Sequence, residues 1–284
     1  MGKETNSHWL VNFISGISAG VAHVVCCAPL DTARTRMQVQ GLYNTHYRGM
    51  LSTVSTIYNY EGVRGLYKGV QASLIAYPTS WSVYFASYEV LKNFFRKKTG
   101  SEYLGNLLGS GCAGILGSFI SNPLWLIRAR VQVGSQTSVY KAFLDIARRE
   151  GPLSFFQGLS ASLLGVVHVV VQFPLYEIAK KHFHKEDTPP NFLEMVICSC
   201  GPKVVAGFCS YPLETIRTRL FVHNKTQDKR FLGLASLISY TLENEGIKAF
   251  YSGYTLNLVR VLPATFITLY TYENVLYFLK AFPQ

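Results

Sequence analysis

Two basic side chains stand in the middle of long apolar stretches of this sequence. Lys203 lies in CSCGPKVVAGFCSYP and Arg260 lies in TLNLVRVLPATF. A charge at such a depth is costly to bury, so it usually serves a function, and a cation there can bind an anion. An ion pair with a buried acid is the structural alternative, but these stretches offer few acids at that depth. We therefore expect Lys203 and Arg260 to contact an anionic substrate.

The remaining polar residues of these stretches do not form a catalytic or metal site. His168 and Gln172 are four residues apart, which places them on one helical face, but no nucleophile or metal ligand accompanies them. We expect them to line a polar cavity wall in a protein that is not an enzyme, while His23 fits packing and ligand roles equally well. The six cysteines lack CxxC spacing, which predicts small buried residues and no metal. They are Cys26, Cys27, Cys112, Cys198, Cys200 and Cys209.

The composition favours contact with lipid. Of 284 residues, 49% are hydrophobic and 15% are charged, whereas soluble domains are about 25% charged. The net charge of +11 suits nucleic acid, an anionic membrane surface or an anionic substrate, and does not choose among them.

The sequence contains three copies of one paired motif. The first half reads APLDTARTRMQ at 28–38, NPLWLIRARVQ at 122–132 and YPLETIRTRLF at 211–221. All three share the proline and the arginines five and seven residues after it, but the second residue after the proline is Asp31, Trp125 or Glu214. The second half reads EGVRGLYKG at 61–69, EGPLSFFQG at 150–158 and ENEGIKAFYSG at 243–253. We therefore divide the chain into repeats 1–100, 101–186 and 187–284 of one folded unit.

Each repeat holds two long apolar stretches that could cross a bilayer, which takes ~20 helical residues. The predicted spans are 9–38, 70–95, 104–132, 159–181, 193–220 and 254–279, and short amphipathic helices are predicted at 47–60, 139–149 and 231–243. Gly16 with Gly20, and Gly105 with Gly109, would let helices approach closely. The repeated prolines would bend helices towards one axis. These patterns predict an all-α membrane protein with six transmembrane helices around a central cavity.

The pattern resembles the mitochondrial carrier family (solute carrier family 25). The signature of that family is Pro-x-acid-x-x-base-x-base, then acid-Gly-x4-aromatic-base-Gly, three times over. Repeat 1 fits in full, repeat 2 departs at Trp125 and Gln157, and repeat 3 departs at Ser252. The resemblance covers essentially the whole chain and implies a monomeric transporter that works by alternating access.

The resemblance also implies a ring of residues that closes the matrix side of the cavity. Its members would be Asp31, Arg34, Trp125, Arg128, Glu214 and Arg217, with Gln38 and Gln132 as braces beneath and Phe221 in place of the third brace. Asp31 would pair with Arg128, and Glu214 with Arg34. Trp125 leaves Arg217 without a carboxylate, although a tryptophan face can hold an arginine by cation–π attraction worth ~0.5–2 kcal/mol.

On the opposite side the resemblance implies a cytoplasmic gate. Its members would be Glu89, Lys92, Glu177, Lys180 and Glu273, and Leu276 stands where the third base is expected. The family further implies cardiolipin bound at helix N-termini, whose free N–H groups hold phosphate. The glycines at these ends are Gly49, Gly69, Gly158, Gly233 and Gly253.

The substrate is expected at the middle of the cavity. Arg260 lies thirteen residues before Glu273, at the height where carriers of this family contact substrate, and the equivalent positions are Ala76, Tyr77, Leu164 and Gly165. Small apolar surfaces there would admit a flat ring, while the cations hold phosphate or carboxylate. The stretches around Trp125, 80–89, 163–173, Lys203 and 257–275 are similar to carriers of folate, FAD, NAD and pyrimidine nucleotides. We therefore expect transport of such an anion across the mitochondrial inner membrane, by exchange or in one direction.

Three alternatives differ from this interpretation. A carrier of CoA-type or adenine-type cofactors in peroxisomes or another organelle is the nearest. A soluble, basic, helical RNA-binding repeat protein would need basic stripes on exposed faces, whereas Lys and Arg cluster at span ends, as in 96–98 and 180–181. We therefore expect no nucleic acid partner. A membrane enzyme would need a catalytic constellation that the sequence does not contain.

Overall fold

A computed structural model describes residues 2–43, 47, 49–134, 138–165, 168, 171–172, 175, 178–179, 192–223 and 233–281. All regular secondary structure in these residues is helical. The long helices are α1 (Gly2–Gln38), α3 (Val70–Thr99), α4 (Glu102–Val133), α7 (Phe192–Val222) and α9 (Tyr254–Ala281). The shorter ones are α2 (Met50–Leu66), α5 (Val139–Asp145), α6 (Leu159–Leu164) and α8 (Leu234–Asn244). These bounds agree with the predicted stretches to within a few residues, except that α1 begins seven residues earlier than predicted and that parts of 159–181 lie outside the described residues.

Two of the described helices are long and apolar enough to cross a membrane by composition. They are Phe13–Gln38 and Leu104–Val133. The outward faces of the long helices carry exposed aliphatic and aromatic side chains, among them Ile17, Leu107 and Phe266. Among the cysteines whose side chains the structure describes, Cys27 is buried, Cys112 is partly buried, and Cys26 and Cys209 are exposed. The expectation of burial is therefore confirmed for Cys27 and wrong for Cys26 and Cys209.

The glycine pair of α4 permits close packing against α3. A Cβ atom added at Gly105 would lie 2.9 Å from Cα of Arg96, and one added at Gly109 would lie 2.7 Å from Cα of Lys92. No larger residue fits at either position without moving the α3 backbone. Gly16 and Gly20 differ, because no described atom lies within 4 Å of a Cβ added there. The prediction of close packing is therefore confirmed for the α4 pair and wrong for the α1 pair.

Three turns at equivalent points of the repeats require glycine. Gly69, Gly158 and Gly253 have φ angles of 80°, 75° and 83° immediately before α3, α6 and α9. A Cβ added at Gly158 would lie 2.8 Å from a ring carbon of Phe221, on the first helix of the next repeat. Each turn is thereby pressed against the end of a proline-containing helix.

The buried core gathers at this same end of the molecule. Its largest cluster joins Leu126 and Val131 of α4 to Phe221 of α7 and to Phe155, which follows α5. Two further clusters pack α7 against α8 and α1 against α2. The short helices thus hold together the proline-containing helices, and the motif residues lie above this core.

Candidate functional site

The long helices enclose a central cavity with two lobes, of about 590 Å³ and about 790 Å³. Volumes of ~300–1,000 Å³ are typical of small-molecule sites. Glu214, Arg217 and Arg260 line both lobes. The first lobe also contacts the motif arginines and the aromatic face of α3, and the second contacts Lys203.

Ion pairs close the cavity at the core end. Nη2 of Arg128 lies 3.0 Å from Oδ2 of Asp31, and Arg34 pairs with Glu214. Both pairs are those that the resemblance implies. Nη1 of Arg260 lies 3.0 Å from Oδ1 of Asp31, so Arg260 forms the ion pair with a buried acid that was the structural alternative to substrate contact. The arginine side chain is long enough to reach the floor of the cavity, and Asp31 is held between two guanidinium groups.

Trp125 does not hold Arg217. Its indole N–H donates to Oγ of Ser80 at 3.0 Å, and this bond directs the ring towards α3. The guanidinium carbon of Arg128, rather than that of Arg217, lies 5.0 Å from the centre of the Trp125 ring system. Arg217 lies instead over Phe221, at 5.1 Å from the ring centroid.

Arg217 has no ion-pair or hydrogen-bond partner among the described residues, and its Nε atom is buried. The equivalent arginines Arg34 and Arg128 each contact a carboxylate. The ring formed by the acids and by the arginines five residues after the prolines is called the inner ring below. It therefore has two filled positions and one open one.

A buried tyrosine supports the inner ring from below. Tyr211 is fully buried, and its hydroxyl accepts from Nε2 of Gln38 at 3.2 Å and donates to the carbonyl oxygen of Ser252 at 3.1 Å. Nε of Arg34 lies 3.5 Å from the same hydroxyl. Gln132, the other predicted brace, accepts from the Thr35 hydroxyl at 2.9 Å. Sequence reasoning missed Tyr211, whose signal is a hydroxyl-bearing residue where the first two repeats carry Ala28 and Asn122.

A second ring, called the outer ring, uses the arginines seven residues after the prolines. Each pairs with the glutamate of its own repeat's second motif, and the pairs are Arg36–Glu61, Arg130–Glu150 and Arg219–Glu245. Each Nε also donates to a main-chain carbonyl of the next repeat, at Gln132 (3.0 Å), Phe221 (2.8 Å) and Gln38 (2.9 Å) respectively. Both partners of each pair belong to the repeated motifs, but the sequence analysis did not predict that they contact each other.

The acid of this ring in repeat 1 is strongly stabilised as a carboxylate. Hydrogen bonds from Arg36, with a further contribution from Lys68, lower the pKa of Glu61 to about 2 from its usual 4.5. Glu61 lies in α2, outside the long helices.

The predicted substrate residues are distributed unevenly around the cavity. Tyr77, Gly165, His168 and Lys203 line one lobe or the other, and Arg260 lines both. Nδ1 of His168 lies 3.0 Å from Oγ of Ser210. Ala76 is fully buried, and Ala76, Leu164 and Gln172 line neither lobe. His23 lines the second lobe, with Nδ1 3.2 Å from Oγ1 of Thr268.

Three consecutive segments of the chain, 5–99, 100–187 and 188–282, match the family model described as mitochondrial carrier protein. The chain belongs to the mitochondrial carrier family. Members of this family are transporters and not enzymes, which agrees with the sequence-based expectation.

The similarity of this carrier to curated relatives covers nearly its whole length. Mitochondrial nicotinamide adenine dinucleotide transporter 1 of Saccharomyces cerevisiae is 36% identical over 281 residues, which cover 93% of this carrier and 75% of the relative. Nicotinamide adenine dinucleotide transporter 1, chloroplastic, of Arabidopsis thaliana is 32% identical, with 95% and 92% covered. Folate transporter 1, chloroplastic, of the same plant is 33% identical, with 96% of each chain covered.

The opposite end of this carrier differs from the core end. Glu89 and Glu273 are exposed, and Nζ of Lys92 lies 5.5 Å from the centroid of the Tyr88 ring. These residues form no ion pair with any other residue that the structure describes. Glu177 and Lys180, the remaining predicted members of this gate, lie outside the described residues.

The helix ends predicted to hold lipid phosphate fall into two groups in the carrier. Gly49 and Gly233 precede α2 and α8, and no described atom lies within 4 Å of a Cβ added at either. Gly69, Gly158 and Gly253 are packed against neighbouring repeats. The first group therefore leaves more space for a headgroup than the second.

Proposed function

We propose that this carrier exchanges a nucleotide-like or cofactor anion across the mitochondrial inner membrane, and that a NAD-type dinucleotide is its foremost substrate. One observation carries the proposal: among the residues that the structure describes, five Lys or Arg side chains and two acids line the cavity. They are Arg34, Arg128, Lys203, Arg217 and Arg260 against Asp31 and Glu214. A cavity with three more bases than acids favours an anion of several charges.

The first lobe suits a planar ring. Four aromatic side chains line it, and two glycines, Gly114 and Gly117, also contribute to its wall: the aromatic residues are Tyr77, Trp81, Tyr84 and Trp125. The Tyr77 and Trp125 rings meet edge to face at 4.9 Å, and aromatic surfaces of this kind bind nucleobases by stacking. The names of the two dinucleotide transporters support NAD, and the name of the chloroplastic relative supports folate as the second candidate.

Transport would proceed by alternating access through six transmembrane helices. Pairing of Asp31 with Arg128, and of Glu214 with Arg34, closes the matrix side, and an anion bound at Arg260 would compete for it with Asp31. The substrate would thus weaken the closed gate as it binds, which is the differential interaction that a conformational change requires. The exposed cytoplasmic gate would add only ~0–1 kcal/mol per pair, so it can open repeatedly.

The proposal also covers the oligomeric state of the carrier, its orientation in the membrane and its bound lipid. It would work as a monomer with its termini towards the intermembrane space and the short helices in the matrix. Cardiolipin phosphate would bind at the N-termini of α2 and α8, at Gly49 and Gly233, and also at the turns of Gly69, Gly158 and Gly253. No other cofactor is proposed.

Purified carrier in liposomes tests the substrate. Labelled NAD, FAD, folate, UTP, CoA and ATP are offered for exchange, and NAD is expected to exchange fastest. Arg260→Gln should slow this exchange about 10- to 100-fold, because hydrogen bonds to charged groups contribute ~1.5–3 kcal/mol. Arg96→Gln is the matched control, since Arg96 is 52% exposed and forms a surface pair with Glu102.

The outcomes separate the alternatives. Exchange of CoA or ATP in preference to NAD and folate would favour the carrier of another organelle. Exchange of none of the six compounds, or equal effects of the two substitutions, would contradict the proposal.

A further inference from the structure

Arg217 is the one inner-ring arginine without a carboxylate among the described residues. Glu214 lies one helical turn earlier on α7, but its carboxylate pairs with Arg34 across the cavity. Position 125, where the other repeats place an acid, carries a tryptophan whose N–H is bound to Ser80. The guanidinium group of Arg217 is therefore available to a ligand in the cavity.

The contact between Arg217 and Phe221 supplies neither a hydrogen-bond acceptor nor a negative charge for the guanidinium group. The ring lies 5.1 Å from the guanidinium carbon and offers no acceptor, and Nε of Arg217 is buried without a hydrogen bond. Arg217 is partly buried, and its charge is compensated less well than the charges of Arg34 and Arg128, which each contact a carboxylate. A bound anion would compensate Arg217 as the carboxylates compensate Arg34 and Arg128.

The position of Arg217 suits an anionic ligand. Of the residues that the structure describes, Glu214, Arg217 and Arg260 line both lobes, so the two arginines flank the junction through which a long substrate would extend. Arg260 shares Asp31 with Arg128, whereas Arg217 forms no ion pair with any residue that the structure describes. An anion at the junction can therefore contact Arg217 without breaking any ion pair.

We propose that Arg217 is a substrate ligand that binds the second of two neighbouring anionic groups, the first of which is held by Arg260. The substrate then supplies the negative charge that position 125 does not. This assignment rests on the proposed function and narrows it to anions with two adjacent charged groups, such as the diphosphate of a dinucleotide. Anions with a single charged group would be bound by one arginine and held more weakly.

Thermal unfolding of purified carrier in detergent tests the assignment with pyrophosphate, phosphate and NAD as added ligands. Pyrophosphate and NAD should raise the melting temperature of the wild-type carrier more than phosphate does. Arg217→Gln should weaken the apparent affinity for both about 10- to 100-fold, as expected for loss of a charged hydrogen-bond partner, and Arg217→Lys should retain part of it. Phe221→Leu removes the ring and keeps the charge, so it should retain the ligand response.

The same measurement without ligand distinguishes a ligand from a gate residue. Arg34→Gln should lower the melting temperature, because Glu214 loses its partner, whereas Arg217→Gln should leave it unchanged or raise it. The assignment is overturned if Arg217→Gln behaves like Arg34→Gln and keeps its pyrophosphate affinity. It is equally overturned if pyrophosphate does not stabilise the wild-type carrier. A response to pyrophosphate that depends on Arg217, in a carrier that exchanges no nucleotide in liposomes, would contradict the proposed function and leave this assignment standing.

Discussion

Replacing Trp125 by aspartate would restore, in repeat 2, the acid that the other repeats carry as Asp31 and Glu214. By the threefold arrangement of the motifs, this aspartate would face Arg217 of the next repeat, as Asp31 faces Arg128. We expect the substitution to fill the open position of the inner ring. The gate would then close with three ion pairs, and exchange would slow because more interactions must break to open it.

The structure indicates how large the opposing effects are. The substitution removes the indole bond to Ser80, worth ~1 kcal/mol, and the contact with Arg128, worth ~1 kcal/mol. It also removes the edge-to-face contact with Tyr77, worth ~0.5–1.5 kcal/mol. Pairing of Arg217 with the new carboxylate restores ~1.5–3 kcal/mol, the range for hydrogen bonds between charged groups. The net change in the free energy of unfolding is therefore near zero, and the single variant alone is uninformative.

A double-mutant cycle isolates the new pair. Melting temperatures are measured for the wild type, Trp125→Asp, Arg217→Gln and the double variant, with Trp125→Asn as the uncharged control. A coupling of ~2–3 kcal/mol between the two substitutions corresponds to non-additivity of roughly 4–10 °C for a chain of this size. Additivity within ~0.5 kcal/mol, or equal coupling for asparagine, would refute the proposed pairing. In the aspartate variant Arg217 is occupied, so the response to pyrophosphate should also weaken.

Three further predictions concern the support of the site. Gly109→Ala should lower the free energy of unfolding by ~1–3 kcal/mol, because the added Cβ would lie 2.7 Å from Cα of Lys92. Gly111→Ala on the same helix is the control, since its Cβ would meet no described atom within 4 Å and the substitution should not destabilise the carrier. Tyr211→Phe should cost ~1–3 kcal/mol by leaving buried polar groups unpaired. The lowered pKa of Glu61 stabilises the folded carrier above pH 4.5, and this contribution is lost as the pH falls towards about 2. Melting from pH 6 to pH 3 should therefore show a steeper loss of stability in the wild type than in Glu61→Gln, by ~1–2 kcal/mol after screening by solvent.

Each of these predictions has an outcome that contradicts it. Equal melting temperatures for the two glycine variants would mean that α3 and α4 separate easily. An unchanged Tyr211→Phe variant would mean that water replaces the lost hydroxyl. Parallel pH curves for Glu61→Gln and the wild type would mean that Arg36 does not hold this carboxylate in solution.

The two filled pairs of the inner ring were predicted through the family resemblance, because the residues of both partners match a motif whose pairing in that family runs from one repeat to the next. The repeated motif itself shows only that these residues occupy equivalent positions in the three repeats. The sequence did not predict the contact between Arg260 and Asp31. Position along a helix gives depth in the cavity, but the lateral reach of a long side chain depends on how α9 packs against α1.

The orientation of Trp125 could not be predicted for a related reason. Its ring is fixed by Ser80, on a helix whose register relative to α4 is set by the contacts of Gly105 and Gly109. Only the packed structure shows that the indole turns towards α3 and that Phe221 lies beneath Arg217. The sequence therefore shows that Trp125 replaces an acid of the motif, but it does not show that Phe221 contacts Arg217 instead.

The main-chain acceptors of the outer ring have a consequence for how the repeats can vary and be joined. Because each arginine donates to a main-chain carbonyl group, this hydrogen bond does not depend on the type of side chain at the accepting position, and the carbonyl of Phe221 accepts as that of Gln38 does. Repeat 1 donates to repeat 2, repeat 2 to repeat 3, and repeat 3 back to repeat 1, so the interlock is circular and does not depend on where the chain begins. A circularly permuted carrier that starts at repeat 2 retains every link of it, whereas any fragment of two repeats leaves one buried guanidinium without its acceptor.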